Sequence, residues 1–525
     1  MRWLLSLGCL MLAAGVSAEG LPVKSQLVRD SCGACHQVDA QGRMSRISYV
    51  RKPPEEWELT VKRMVRIHGV SLTPDAARQI VQYLSDNHGL TASELAPIAY
   101  VLEREETSEE IPSEHMKAAC AGCHSYGKIA GQRRTREEWL KLKDFLMGMY
   151  PAMIYQHRQV DWPKLADENL AWLADHFPLE TPEWKKEKDA TAPGEGQWVV
   201  VGSQPGKGDY TGLLSFRTLP DGGRQSETAL AFASGQKETV RGKGRWFGAY
   251  AWRGNALRGE KDKTREVFHL SADQNTLRGR WFPLEHPELG AREVRYRVEG
   301  APRVLAVLPG AVRRGSSHVT IRIAGILMTP PAQHADLHLG DGVSVEKIVE
   351  AAPDHIEAVI SVDPAAKPGA RDVKTGAISG AGQFIVYENA DYLRVTPDHA
   401  MARLGGIHYQ KEFAQFEAHA WSNGADGLPG TADDLDLGAV QASWSMAEAY
   451  ASFGEKDVSF VGSVNQNGLF TPAEEGPNPA RLRSTNNAGD VWVEASYTPP
   501  GAQQPLKARA YVLVTVPLYV QFPIH

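Results

Sequence analysis

Four cysteines and two histidines make two copies of one pentapeptide, Cys32-Gly33-Ala34-Cys35-His36 and Cys120-Ala121-Gly122-Cys123-His124. Thiols one helical turn apart can each add to a vinyl group of the same porphyrin, and the following His is placed to coordinate iron from the proximal side. The pattern therefore reads as two covalent c-type haems, with Cys32, Cys35, Cys120 and Cys123 as anchors and His36 and His124 as proximal ligands. A thiol-disulfide redox pair would sit beside a βαβ pattern and has no need of His after the second Cys in both copies. A shared zinc site could use all four thiols but leaves both histidines unexplained.

The elements that must position these groups are duplicated. Leu72-Thr73-Pro74 through Asn87 resembles Asp161-Trp162-Pro163 through His176 at an offset of 89, and the haem motifs recur at an offset of 88. Each half thus reads as one small cytochrome c unit: an N-terminal helix, the haem motif, a variable loop, and a closing helix after a Pro. The same alignment sets Met64 and His68 opposite Met153 and His157, so each half carries Met-x-x-x-His upstream of its closing helix. Thioether and imidazole both bind low-spin haem iron, and Met raises the potential relative to His. Met64 and His157 are the preferred sixth ligands, His68 and Met153 the alternatives, and Met147 and Met149 lie further off. Two of the four in the repeated motif should prove to be a core methionine or a surface histidine. Trp57, Trp139 and Trp172 are expected to pack against porphyrin rather than to relay electrons.

Met1-Arg2, the apolar run Trp3 to Val16, and small residues at Val16-Ser17-Ala18 read as a secretory signal peptide over 1–18. Cys9 leaves with that leader, so every cysteine of the mature chain belongs to a haem motif. Ser6 stands where a lipoprotein signal favours Leu, and no other stretch is apolar enough to span a bilayer. A soluble, exported protein follows, and haem attachment makes the periplasm its expected location. The 525 residues carry a formal charge of -6 with 42% hydrophobic content, enough for several cores and without the basic excess of a nucleic-acid binder.

The expected fold class is multidomain, helical and then all-β. A duplicated cytochrome c-like domain spans 19–185, in repeats of about 19–100 and 101–185, and the Pro-, Gly-, Lys- and Glu-rich stretch Glu180 to Gln197 closes it. Beyond it, short Val/Ile/Tyr/Trp runs punctuated by Gly, Pro, Asp and Asn predict a β-barrel over 195–299 and immunoglobulin-like sandwiches over 300–389 and 390–525. The aromatics of the barrel are expected to fill it rather than to line a ligand pocket. One loop, Asn423 to Asp436, clusters Asp426, Asp433, Asp434 and Asp436 on a Gly-rich turn. Such carboxylates could hold calcium or form a solvated acidic turn, and the spacing is not that of an EF-hand.

Two Cys-x-x-Cys-His units followed by three β-domains, with the segment Asp426-Gly427-Leu428-Pro429-Gly430-Thr431-Ala432-Asp433-Asp434, resemble the quinohemoprotein amine dehydrogenase alpha-subunit family through most of the mature chain. The resemblance implies a periplasmic complex in which amine is oxidised elsewhere. A small gamma subunit carries cysteine tryptophylquinone, and a β-propeller beta subunit helps to enclose the site. The alpha-subunit haems pass electrons to an external cytochrome c or blue copper protein. No Ser-His-Asp set, phosphate loop or His-Glu-x-x-His is evident, so haem chemistry stands alone. Two other readings fit the motifs: a free-standing dihaem peroxidase, and a surface-binding β-protein tethered to a cytochrome.

Overall fold

Short polar caps start the helices that present each haem motif. The Ser25 hydroxyl accepts from the Val28 N–H at 3.3 Å and opens helix Gln26–Cys32. In the second half the Ser113 hydroxyl accepts from the Met116 N–H at 3.0 Å, and helix Glu114–Met116 runs on as a π-helix over Lys117–Ala121. Wide turns of this kind recur at functional sites. The computed structural model describes residues 20–105, 107–156, 158–450, 454–481 and 486–518, so the leader and His157 lie outside the described residues.

The duplication is legible in the hydrogen bonds. Helix Pro54–Arg66 carries Trp57, and helix Arg136–Met149 carries Trp139. The closing helices, Pro74–Asn87 and Trp162–His176, are capped by Thr73 and Asp161. At the end of the first closing helix the carbonyl of His88 accepts from the Lys52 N–H and the Trp57 indole, both at 3.0 Å. At the end of the second, the carbonyl of Phe177 accepts from the Arg134 N–H at 3.2 Å and the Trp139 indole at 2.9 Å. Both tryptophans are fully buried. A short antiparallel ladder joins the halves, Val50–Arg51 against Arg133–Arg134.

The chain forms two compact units. Among the described residues, one holds 20–98 with Ser108–Ala190, and the other holds Ala99–Thr107 with 191–518. The stretch across the expected repeat boundary thus belongs with the β-domains. There Val101 and Leu102 are buried, Glu103 Oε1 lies 3.2 Å from His269 Nδ1, and Arg280 donates to the carbonyls of Glu103 and Arg104, each at 3.2 Å.

In the second unit eight antiparallel strands, from Gly196–Gln204 to Ala291–Arg297, close into a barrel by pairing the last with the first. Its interior is filled by aromatic rings and an ionic lattice. Glu293 accepts from the Tyr210 hydroxyl at 2.8 Å, from Arg258 at 3.1 Å and from Arg295 at 2.9 Å. Arg295 also donates to Glu266 at 2.7 Å, and Glu266 accepts from the Trp252 indole at 3.0 Å. Two guanidiniums against two carboxylates compensate one another, which burial of ions requires.

Two four-stranded sheets follow. The strands Arg303–Leu308, Val319–Ile326, His355–Val362 and Val343–Ala351 face Ala311–Arg313, Ile378–Tyr387, Gly369–Thr375 and Leu337–His338 across one core built around Ile321, Ile323, Ile356 and Phe384. The C-terminal part encloses a second core around Phe416, Phe470, Val491 and Val512 with a four-stranded sheet and two three-stranded ones. No helix among the described residues is long and apolar enough to cross a membrane.

Candidate functional site

The first motif straddles a helix end. Cys32 is the last residue of its helix, and its carbonyl accepts from the Cys35 N–H at 3.2 Å and from the His36 N–H at 2.9 Å. This tight turn keeps both thiols and the imidazole on one local scaffold. In the second motif Cys120 lies in the π-helix and accepts from the Cys123 N–H at 3.4 Å. None of Cys32, Cys35, Cys120 and Cys123 is joined in a disulfide. Burial, helped by Cys35, pushes the Cys32 thiol up, and burial beside Cys123 pushes Cys120 up to about 12. Burial raises Cys123 as well.

The histidines are oriented by backbone carbonyls. His36 Nδ1–H donates to Ser45 O at 2.8 Å, and His124 Nδ1–H donates to Ser125 O at 3.3 Å. A carbonyl can only accept, so the proton sits on Nδ1 and the Nε2 lone pair is left for a metal, the arrangement a haem-ligating His needs. Burial holds His124 below the usual imidazole range; the Ser125 carbonyl and Glu56 oppose that shift and Lys128 adds to it. The donor set fits covalent haem in both halves. Haem c would be held by Cys32, Cys35 and His36 in one and by Cys120, Cys123 and His124 in the other.

The sixth-ligand candidates separate by environment. Met64 lies inside helix Pro54–Arg66 and is only half-buried, whereas His68 is exposed beyond the helix end, so the two do not share a helical face. Met153 is buried against Ala119, Trp162 and Ala166, with Cys120 and Met147 packed on the same cluster. Met149 is half-buried at its helix terminus. His157 lies outside the described residues. Replacing Met64 by Ala is expected to abolish the weak sulfur-to-iron absorption at the red end of the ferric spectrum and to lower the first haem's potential, while His68→Ala leaves both unchanged. Met153→Ala should instead cost about 2–5 kcal/mol of stability, with the second haem's spectrum altered less than by His157→Ala. Spectra and thermal melts of the four variants check this, and an unchanged haem in Met64→Ala would remove Met64 from the ligand set.

The acidic loop converges only in part. Carboxylate oxygens of Asp426, Asp433 and Asp434 lie within 4.8 Å of one another. Asp433 Oδ2 accepts from the Ala425 N–H at 2.6 Å, and Asp434 Oδ2 accepts from the Gly430 N–H at 2.6 Å and the Tyr392 hydroxyl at 2.5 Å. These bonds tie the turn to itself. Asp436 stands apart from the other three: it lies in strand Leu435–Ala439 and takes a hydrogen bond from His419 Nδ1 at 3.1 Å. Glu417 lies 3.2 Å from His419 Nε2, and the two carboxylates raise that imidazole to about 10.

Four sequence-family models match the chain in succession. Residues 23–184 match "Quinohemoprotein amine dehydrogenase A, alpha subunit, haem binding". Residues 192–297, 301–388 and 393–524 match domains II, III and IV of the same alpha subunit. No curated protein matches the chain. Among solved structures, the extracellular region of plexin A4 aligns at 9% identity and a TM-score of 0.13, over 57% of this chain and 37% of that one. The chain therefore spans little more than a third of that structure, and no shared fold is drawn from it.

Proposed function

Because the chain belongs to the quinohemoprotein amine dehydrogenase alpha-subunit family, we propose that it is the periplasmic dihaem electron-transfer subunit of such a complex. The observation that carries this is the pair of Cys-x-x-Cys-His turns inside the haem-binding region, each with its imidazole Nδ1 tied to a backbone carbonyl and Nε2 left for iron. Haem c supplies a one-electron iron couple. Cys32, Cys35, Cys120 and Cys123 fix the groups covalently, His36 and His124 hold the irons, and Met64 and His157 complete them. Buried Trp57 and Trp139 exclude water from the surrounding packing.

In this reading the primary amine is oxidised on a small partner subunit bearing cysteine tryptophylquinone, yielding aldehyde and ammonia. A β-propeller subunit completes the heterotrimer. This chain receives the electrons and delivers them to an external cytochrome c or copper protein. Residues 1–18 are its secretion signal, and its repeats and β-domains divide at about 100, 185, 299 and 389. Mass spectrometry of the denatured mature chain tests the foundation. Two haem additions and no disulfide are expected; one addition, or a Cys-Cys bridge, would overturn the assignment.

A further inference from the structure

Where the chain leaves strand Ile378–Tyr387 for the C-terminal part, Arg313, Tyr387, Asp391, Tyr497 and the turn 499–502 line a cleft of about 300 Å³. Each wall is a fixed element. Arg313 ends strand Ala311–Arg313 and stands opposite Tyr387 in parallel register. Tyr497 ends strand Gly489–Tyr497, and the chain then turns: the Ala502 N–H donates to the Pro499 carbonyl at 3.0 Å, with Gly501 at φ +83°. Pro500 followed by a glycine of positive φ is the type II pattern, so this wall forms without a ligand. It faces the guanidinium, because a Cβ placed on Gly501 would lie 3.7 Å from Arg313 Nη1.

Two opposite charges line the cleft without meeting. Arg313 Nε donates to the Glu388 carbonyl at 2.9 Å, which orients the guanidinium, and its two Nη groups have no hydrogen-bond partner among the described residues. The neighbouring Arg314, by contrast, is paired with the Glu388 carboxylate. Asp391 Oδ2 accepts from the Ser422 hydroxyl at 3.1 Å and from the Asn423 N–H at 2.9 Å, which leaves Oδ1 open. The phenols add apolar faces and further donors. Burial pushes both up, and at Tyr387 the nearby Tyr497 adds to the shift while Arg313 opposes it. Both therefore keep their protons at neutral pH.

We propose that this cleft binds a free α-amino acid as its zwitterion, the carboxylate on the Arg313 Nη groups, the ammonium on Asp391 Oδ1, and an apolar side chain against the Tyr387 and Tyr497 rings. A guanidinium fork matches a carboxylate, and ligand sites concentrate where domains meet. A simple organic acid would use Arg313 alone and a simple amine Asp391 alone. Only a molecule carrying both charges satisfies the two together. No bond is made or broken, and the inference does not depend on the haem assignment.

Equilibrium dialysis of the intact complex with labelled L-phenylalanine tests this, beside N-acetyl-L-phenylalanine, which lacks the ammonium, and L-phenylalaninamide, which lacks the carboxylate. Phenylalanine should bind saturably, and each analogue about 10–100-fold more weakly, the effect of losing a hydrogen bond between charged groups. Arg313→Gln should weaken phenylalanine by a similar factor and leave phenylalaninamide unchanged. Asp391→Asn should weaken phenylalanine and leave the N-acetyl compound unchanged. The wild-type comparison needs no variant, so it decides even where a substitution disturbs folding, and the crossed pattern ties the site to these two side chains. Absence of saturable binding, equal affinity for the three compounds, or variants that leave the preference among them unmoved would overturn the proposal.

Discussion

Replacing Glu94 by Ala is expected to cost about 3–5 kcal/mol of stability, because it strands a buried guanidinium. Arg51 is fully buried and donates to both oxygens of Glu94, at 2.7 and 2.8 Å. Glu94 also accepts from the Thr181 hydroxyl at 2.8 Å, and Arg51 donates to the carbonyl of Leu179 at 2.7 Å and stacks 4.0 Å from the ring centroid of Trp184. This pair ties the first repeat to the chain beyond the closing helix of the second. Replacing both partners with apolar residues of similar volume should cost much less than Glu94→Ala, since no charge is then left unpaired. The pH dependence has a definite sign. Burial would raise the Glu94 carboxyl, yet the hydrogen bonds and charge of Arg51, with Arg133 and the Thr91 N–H, hold it at about 2. An unfolded Glu titrates near about 4.3, so the contribution is complete above that pH and is lost as pH falls toward about 2. Denaturant melts of wild type and Glu94→Ala should therefore converge through that window. A gap that stays constant down to its lower edge would mean that the carboxylate is not the source.

His124→Ala should be the change most damaging to turnover. Its thioether anchors remain, but the iron they hold loses its proximal imidazole. Loss of groups that merely orient a metal ligand costs about 10–100-fold, so under the proposed function loss of the ligand should slow reoxidation of a partner's reduced quinone by at least that much. Amine-dependent quinone reduction should be unchanged, provided the complex assembles. Stopped-flow measurement of the two half-reactions separates them, and equal loss of both would place this chain in the substrate chemistry itself.

The haem motifs and the duplication were legible in the sequence because both are local. Cys-x-x-Cys-His is one turn of chain, and a repeat announces itself by its offset. The fold class followed from periodicity and turn residues. What remained hidden was long-range: Arg51 with Glu94, Arg46 with Glu138 and Glu293 with Arg258 join residues whose spacing carries no pattern. Asp436 illustrates the converse. It adjoins Asp433 and Asp434 in sequence, but the alternation of strand Leu435–Ala439 turns it toward His419. Ala99–Thr107 likewise read as a boundary between repeats, although Glu103 and Arg280 fasten it to the barrel unit. In the sixth-ligand motif Met64 lies within a helix that ends at Arg66, short of His68, an end the four-residue spacing does not reveal.

Under the proposed function this chain accepts electrons from amine oxidation performed on another subunit. Anaerobic addition of primary amine to the purified complex, followed in the haem α bands, puts that to the test without any external acceptor. Quinone reduction is expected first, and the haems of this chain should then become reduced with no other donor present. A fully reduced quinone beside haems that stay ferric would contradict the proposed role.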